Sequence, residues 1–261
     1  VQTLANQKDW QKEIGRYGMI IVDECHHAAA RQYESVLKRY TAKYVLGLSA
    51  TPRRRDGHQP IVYMQCGPVR YRVNLKKENQ SQPLMHRLCV RPTPFKSALV
   101  SNEQRKIKIQ DVFKELILDQ NRNAFIFSDV LEAYREGRFS VVITERREHL
   151  EILRKGLSEI KQLAVLYGSM KSKERAKEIA KLKSFSKELG GAVLLATGKL
   201  IGEGFDEAKL GTLFLTMPIS DRSVLIQYVG RLHRLCDQKT EARVVDYRDC
   251  QDPRLEKMFL K

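Results

Sequence analysis

The chain has 261 residues, of which 42% are hydrophobic, and its 47 Lys and Arg outnumber its 31 Asp and Glu, giving a formal net charge of +16. The hydrophobic content is typical of a globular protein that buries a core, and no apolar run approaches the roughly 20 residues that span a bilayer. The composition argues against a membrane protein. The positive charge favours a polyanionic partner such as nucleic acid, although charge also serves solubility alone.

The cysteines and histidines indicate neither a disulfide framework nor a metal centre built from side chains alone. The five cysteines are odd in number and include no Cys-x-x-Cys pair, so free thiols in a reducing cytoplasm are expected. His26 and His27 are adjacent and lack the i,i+4 spacing of a helical metal pair. We therefore expect a cytoplasmic protein.

The first part of the chain is predicted to contain short strands around one helix. The apolar run 19–22 ends in acids and predicts a parallel strand buried on both faces. Residues 28–40 carry apolar side chains at three- and four-residue spacing, which predicts a helix, and 44–48 form the next strand. Residues 53–57 are predicted to be an exposed loop, and 63–73 one or two short strands.

The second part shows a regular alternation of strands and helices. Residues 74–94 are polar and contain prolines, and we interpret them as a linker or as the first strand of a second domain. Two helices are predicted at 102–120 and 121–136. The later predicted strands are 140–143, 163–167, 192–196, 212–216 and 242–246, and the later predicted helices are 146–157, 172–184 and 222–235.

This alternation predicts an α/β fold, with a parallel sheet that carries helices on both faces. Ligands of such sheets bind at the carboxyl ends of the strands. We divide the chain into a partial first domain at 1–79 and a complete second domain at 80–261.

Two acids follow the first predicted strand directly. Asp23 and Glu24 at a strand end suit a Mg²⁺ bound to nucleotide phosphates together with a carboxylate that positions water. Two ordinary acids at a solvated strand end are the alternative. Ser49 and Thr51 follow the next strand, where their hydroxyls could hydrogen-bond to the acids or merely form a turn.

Two further groups of residues are predicted to meet phosphates. The loop after strand 192–196 contains Thr197, Gly204 and Asp206, and its glycines would let backbone amides approach a phosphate, although turns also need glycine. Arg231 and Arg234 share one face of a predicted helix and could clamp a γ-phosphate. Gln227 lies on the same side, and a solvated basic helix face is the alternative.

Taken in order, these segments resemble the motifs of superfamily-two helicases and translocases. The second to sixth motifs of that family resemble, respectively, Asp23–His26, Ser49–Thr51, Val141–Thr144, Thr197–Asp206 and Gln227–Arg234. Other segments resemble the branch of type I and III restriction-enzyme motor subunits and double-stranded-DNA repair translocases. They are Ala50–Arg54, Gly67–Val69, Arg147–Leu150 and Val245–Asp249.

The resemblance implies RecA-like parallel sheets and hydrolysis of ATP with Mg²⁺ between two domains. Asp23 would hold Mg²⁺ through water, Glu24 would position the attacking water, and Arg231 and Arg234 would be arginine fingers. The residues implied to contact or sense the nucleotide are Ser49, Thr51, Gly204, Asp206 and Gln227.

The resemblance also implies movement along nucleic acid, with DNA favoured over RNA. Thr197 and the turn Leu166–Ser169, chiefly Gly168 and Ser169, would contact the nucleic-acid backbone without reading sequence. Nuclease or methyltransferase subunits are conceivable partners within this branch. The rival interpretations are a non-catalytic nucleic-acid-binding module and the motor part of a restriction nuclease.

The sequence contains no Gly-x-x-x-x-Gly-Lys-Ser/Thr phosphate loop, and it does not begin with Met. We therefore expect it to be the C-terminal half of a motor, inactive as an ATPase by itself.

Overall fold

The computed structural model describes residues 15–29, 33, 36–37, 41–50, 57–73, 84–99, 107–186, 190–198, 207–219, 221–233 and 239–260. The chain divides into two compact units, Val1–Asn79 and Gln80–Lys261, which are treated separately below. Some predictions lie outside the described residues: the loop at 53–56, most of the helix at 28–40, and the glycine-rich loop beyond Gly198.

The first unit contains a two-stranded parallel sheet. Strand β1 is Met19–Val22 and β2 is Tyr44–Gly47, paired in register from Met19 with Tyr44 to Val22 with Gly47. A 3₁₀ helix, Cys25–Ala29, follows β1, and helix α1 is Gln59–Cys66. Both strands were predicted, and their parallel pairing puts their carboxyl ends side by side.

The prediction of strands within 63–73 is wrong, because residues 63–66 belong to helix α1. Pro60 lies in the first turn, where its fixed φ favours a helix start and its missing N–H costs nothing. Val62 is buried against Val22 and Cys25. A short apolar run does not distinguish a strand from a helix, and here tertiary packing decides it.

The expected burial of β1 on both faces is also wrong for the described part of the chain. Ile20 and Val22 contact the core of the unit, whereas Met19 and Ile21 are 47% and 60% exposed. The described helices pack on one face of the sheet only, so the side chains of β1 alternate between buried and exposed.

The second unit contains a parallel sheet, as predicted, and the sheet has six strands within the described residues, because the open interpretation of residues 74–94 resolves in favour of a strand. Its strands are β3 (Met85–Pro92), β4 (Phe139–Thr144), β5 (Leu163–Leu166), β6 (Ala192–Thr197), β7 (Thr212–Leu215) and β8 (Glu241–Arg248), in the spatial order β3-β8-β7-β4-β6-β5. Its helices are α2 (Ile109–Leu118), α3 (Gln120–Arg135), α4 (Arg147–Gly156), α5 (Ser172–Lys183), α6 (Arg222–Leu232) and α7 (Pro253–Phe259).

Helices cover both faces of this sheet. Every residue of the central strand β4 is buried. Val141 and Ile143 pack in one apolar cluster with residues of α5 and α6, and Val142 packs in another with residues of α3 and α4. This two-layer core accounts for the continuous apolar sequence of the strands. In the described part of the chain, no helix has the length and apolar character that crossing a membrane requires.

Buried polar side chains fill the carboxyl edge beside β7 and β8. The Arg122 and Asp249 side chains are fully buried, with Nε donating to Oδ1 at 2.7 Å, and Arg122 also donates to the Thr216 carbonyl at 2.9 Å. Thr93, directly after β3, donates to the same carboxylate. These contacts bring the ends of three strands together and leave the neighbouring ends, those of β4, β6 and β5, as the place for a site.

Candidate active site and nucleic-acid surface

The two predicted acids and Ser49 lie at adjoining strand ends of the first unit. The Leu48 amide donates to the Val22 carbonyl at 2.9 Å, and the Cys25 amide donates to the Leu48 carbonyl at 2.8 Å. These bonds extend the pairing of β1 and β2 past their last residues. Asp23 and Glu24 therefore lie near Ser49, while Thr51 lies outside the described residues.

A histidine that was not predicted as a site residue links the acids to Ser49. His26 Nδ1 lies 3.0 Å from Ser49 Oγ and 3.2 Å from Glu24 Oε2. Glu24 has a φ of +48°, the single positive value outside glycine in the described part of the chain, and its amide donates to Asp23 Oδ1 at 2.8 Å. Backbone strain of this kind is common at functional sites.

The two carboxylates suit a magnesium ion held largely by water. Glu24 Oε2 is buried and forms no hydrogen bond within the described residues, although it lies close to His26. Asp23 is exposed at the strand end. Mg²⁺ prefers oxygen ligands, keeps several waters and needs only one or two carboxylates. Asp23 would hold such an ion, and the orphaned Glu24 oxygen would accept a hydrogen bond from a water.

Cys25, the residue after these acids, contacts a second thiol. Cys25 is buried and hydrogen-bonds with Cys66 at the end of α1, and burial raises the pKa of Cys66 to about 11. Gly47 packs against both, since a Cβ there would lie 2.9 Å from the Cys66 Cβ. The thiols stay protonated at neutral pH and serve packing.

In the second unit, three chain segments converge on Gly198, the residue after β6. The Tyr228 hydroxyl donates to Glu145 Oε1 at 3.2 Å. A Cβ on Gly198 would lie 2.0 Å from that hydroxyl and 2.3 Å from the carboxylate oxygen. Thr197 is the last residue of β6 and pairs in register with Thr144, the last residue of β4. The predicted fourth, fifth and sixth motifs therefore meet at one place.

The helix of the sixth motif is anchored by its apolar face. Tyr228 and Leu232 of α6 are 3% and 1% exposed and pack in the core. Gln227 and Arg231 are half-buried, and their four-residue spacing puts them on one face of the helix. Arg234 lies outside the described residues, as do Gly204 and Asp206.

The predicted backbone-contacting turn lies at the same edge of the sheet. Gly168 and Ser169 follow β5, and Arg147 Nη1 donates to Ser169 Oγ at 3.4 Å. The Arg147 guanidinium also lies 4.6 Å from the centre of the Tyr167 ring. Tyr167 belongs to the predicted turn, whereas Arg147 was not predicted as a site residue, although a cationic residue soon after a strand end is a recognisable signal.

A groove of about 460 Å³ opens beside this turn. It is lined by Gln110 and Phe113 of α2 and by residues 145–148, which follow β4 and include the first two residues of α4. The Arg146 guanidinium lies 5.8 Å from the centre of the Phe113 ring and hydrogen-bonds to Gln110. Nothing in the sequence pattern pointed to Phe113, because its position reads as part of an ordinary apolar helix face.

Two family descriptions match the chain. Residues 1–54 match the res subunit of type III restriction enzymes, and residues 108–236 match the helicase conserved C-terminal domain. The matched segments contain the acids Asp23 and Glu24 and the residues that converge on Gly198.

Proteins with helicase and translocase names are similar in sequence. A protein of Acanthamoeba polyphaga mimivirus named as an ATP-dependent RNA helicase is 24% identical over 98% of this chain and 48% of its own length. One of Saccharomyces cerevisiae named as an ATP-dependent helicase is 25% identical over 95% and 36%. A DNA 3'-5' translocase of Sulfurisphaera tokodaii is 33% identical over 25% and 15%. The chain spans about half or less of the length of these relatives.

Solved structures share the fold. Saccharomyces cerevisiae Dbp5 bound to RNA and ADP BeF3 has a TM-score of 0.59 at 15% identity, covering 94% of this chain and 58% of that one. The Mycobacterium smegmatis helicase Lhr bound to ssDNA and AMP-PNP has a TM-score of 0.52 at 19% identity, covering 94% and 30%. With its RecA-like α/β fold and two matching domains, the chain belongs to the superfamily-two helicases, in the branch of restriction-enzyme motor subunits and translocases.

Proposed function

We propose that this chain is part of an ATP-dependent helicase or translocase that moves along nucleic acid and prefers DNA. The observation that carries the proposal is the convergence of three motifs on Gly198, where Tyr228 donates to Glu145. That arrangement connects the helix of Arg231 to the strand end that carries Thr197. A motor needs such a connection, because ATP hydrolysis must change how the protein binds the nucleic-acid strand.

In this proposal, ATP is hydrolysed with the help of Asp23 and Glu24. Bound Mg²⁺ would neutralise phosphate charge, and Asp23 would hold it through water. Glu24 would accept a hydrogen bond from the attacking water through Oε2, which forms no hydrogen bond with the described residues, although His26 Nδ1 lies 3.2 Å away. Ser49 would respond to whether nucleotide is bound at this site. The link is His26, whose Nδ1 lies within 3.2 Å of both the Ser49 hydroxyl and the Glu24 carboxylate.

Arg231 and Arg234 would stabilise the charge that develops on the transferred phosphoryl group. A planar guanidinium can donate two hydrogen bonds to phosphate oxygens at fixed geometry. The buried Tyr228 and Leu232 hold α6 against the core, which restrains the direction of Arg231. Gln227, Thr51, Gly204 and Asp206 are assigned to nucleotide contacts by the family pattern.

The nucleic-acid strand would run along the carboxyl edge of the second unit, past Thr197, Gly168 and Ser169. Arg147, already bonded to Ser169, adds a cation to this edge. Contacts to phosphate carry no sequence information, so binding would be general. The preference for DNA follows from the restriction-enzyme and translocase branch, in which nuclease or methyltransferase subunits would be partners.

The proposal is tested by ATP hydrolysis in the complete gene product, measured with and without single-stranded DNA. We expect DNA-stimulated turnover in the wild type that Glu24→Gln abolishes, since the amide keeps the size of the side chain but loses its charge. RNA of the same length is the comparison for substrate preference. Turnover by Glu24→Gln at the wild-type rate would refute the assignment of the acids.

A further inference from the structure

We propose that the groove beside α2 takes an unstacked base of a single-stranded nucleic acid, with Phe113 as the stacking surface. This inference rests on the proposed function and adds a base contact to a strand held by its phosphates. All the residues concerned lie in the second unit: Gln110, Phe113, Glu145, Arg146, Arg147 and Glu148 line the groove.

The charge of the groove argues for a base and against a phosphate. Arg146 and Arg147 are matched by Glu145 and Glu148 in the lining, so the groove has no net charge in a chain whose net charge is +16. A neutral lining does not attract a polyanion by itself. It suits a neutral heterocycle whose ring nitrogens and exocyclic groups can bond to amide, guanidinium and carboxylate groups.

The aromatic ring in the groove is held in place by the core. Phe113 is half-buried and packs against the cluster formed by Val112, Leu116 and their neighbours. The Arg146 guanidinium lies 5.8 Å from the ring centre, and Gln110 holds it there. The guanidinium lies over the ring, so an entering base would stack on Phe113 next to Arg146 or in its place. Aromatic rings and guanidinium groups are both surfaces on which single-strand-binding proteins stack bases.

The groove adjoins the surface proposed to hold phosphates. Arg147 lines the groove and also donates to Ser169 at 3.4 Å. A strand whose phosphates lie along Ser169 and Arg147 therefore passes the mouth of the groove. One base turned away from its neighbours can then reach Phe113 while the backbone contacts are kept.

The test compares binding of two oligonucleotides of equal length, a thymidine strand and a strand with abasic sites, by fluorescence anisotropy. We expect wild type to bind the thymidine strand more tightly, and Phe113→Leu to lose about tenfold of that affinity while binding the abasic strand unchanged. Phe113→Tyr should keep the preference because the ring remains. Phe125→Leu is the matched control, since Phe125 is also an aromatic residue of a helix in this unit and is 42% exposed.

A second measurement needs no variant. Photocrosslinking of a strand with a single 5-iodouracil should give a crosslink on Phe113, identified by mass spectrometry. Crosslinks on other residues with none on Phe113 would overturn the inference. An equal loss of affinity for both oligonucleotides in Phe113→Leu would also overturn it. Equal, salt-sensitive binding of the two strands by wild type would overturn the groove assignment but keep the proposed function. Failure to bind any nucleic acid would overturn both.

Discussion

The hydroxyl of Tyr228 donates to Glu145 Oε1 at 3.2 Å, across the space that a side chain at Gly198 would occupy. Burial, together with the neighbouring carboxylate of Glu145, raises the pKa of Tyr228, so the phenol remains a donor at physiological pH. Glu145 also lines the groove beside α2. One carboxylate therefore connects that groove to the helix that carries Arg231.

Replacing Gly198 by Ala should break this contact. A Cβ would approach the Tyr228 hydroxyl to 2.0 Å, so Tyr228 or Glu145 must move. We expect a loss of about 1–3 kcal/mol in the free energy of unfolding, measured with urea. Gly168→Ala is the control, because among the described residues no heavy atom beyond its chain neighbours lies within 4 Å of a Cβ there. Equal stability of the two variants would contradict the packing described for Gly198.

His149 should make the protein sensitive to acid. Burial lowers the pKa of His149 to about 3, and its Nε2 lies 3.0 Å from Asn123 Oδ1 while Nδ1 lies 3.0 Å from Thr144 Oγ1. Asn123 uses its amide nitrogen to donate to the Ile117 carbonyl, so its oxygen accepts from a neutral imidazole. The folded pKa is below the unfolded one, so this stabilisation is present above about pH 6.5 and is lost as the pH falls towards 3.

The measurement is the free energy of unfolding at pH 7 and pH 5 for wild type and His149→Gln. Wild type should lose about 2 kcal/mol more than the variant over this interval. Asp246 acts in the opposite direction, because burial raises its pKa to about 6 and its stabilisation is lost as the pH rises through 6. Its contribution is common to both proteins and cancels in the comparison. The same slope in both would contradict a neutral His149.

The 261 residues alone should not hydrolyse ATP. They contain no Gly-x-x-x-x-Gly-Lys-Ser/Thr sequence, so the backbone cradle and lysine that stabilise the β- and γ-phosphates are missing from this polypeptide. Phosphate release should stay at background with and without DNA. DNA-stimulated turnover that disappears in Glu24→Gln would show that these residues suffice.

Nucleic-acid binding by the chain should weaken steeply with salt. Contacts from cations such as Arg147 release counterions from the strand, so the logarithm of the affinity falls linearly with the logarithm of salt concentration. The slope is measured by titrating labelled single- and double-stranded DNA at salt concentrations between about 50 and 200 mM. Affinity that is independent of salt would contradict phosphate contacts.

The sheet of the second unit could be predicted from sequence, because apolar strands and amphipathic helices alternate without a break after residue 140. The structure of region 63–73 could not be predicted, because its short apolar run fits a strand or a helix. The position of Pro60 in the first turn and the burial of Val62 favour the helix. The burial of β1 was also overestimated, because it depends on what covers each face.

The positions of Asp23, Ser49 and Thr197 at strand ends could be predicted from the sequence, and their roles in a site stay predictions. Contacts between distant segments could not be predicted. Tyr228 and Glu145 are 83 positions apart, and only the folded sheet brings them together over Gly198. Phe113 was missed for a related reason, because a half-buried aromatic residue on a helix normally serves the core.

The central claim is tested most directly by Arg231→Lys in the complete gene product, in steady-state ATP hydrolysis at saturating DNA. If Arg231 acts on the transferred phosphoryl group, kcat should fall on the order of 10³-fold with a smaller effect on nucleotide binding, because lysine lacks the planar two-pronged donor. Arg154→Lys, on an exposed helix face of the same unit with 52% of its side chain accessible, should be silent. A wild-type kcat in Arg231→Lys would contradict the account.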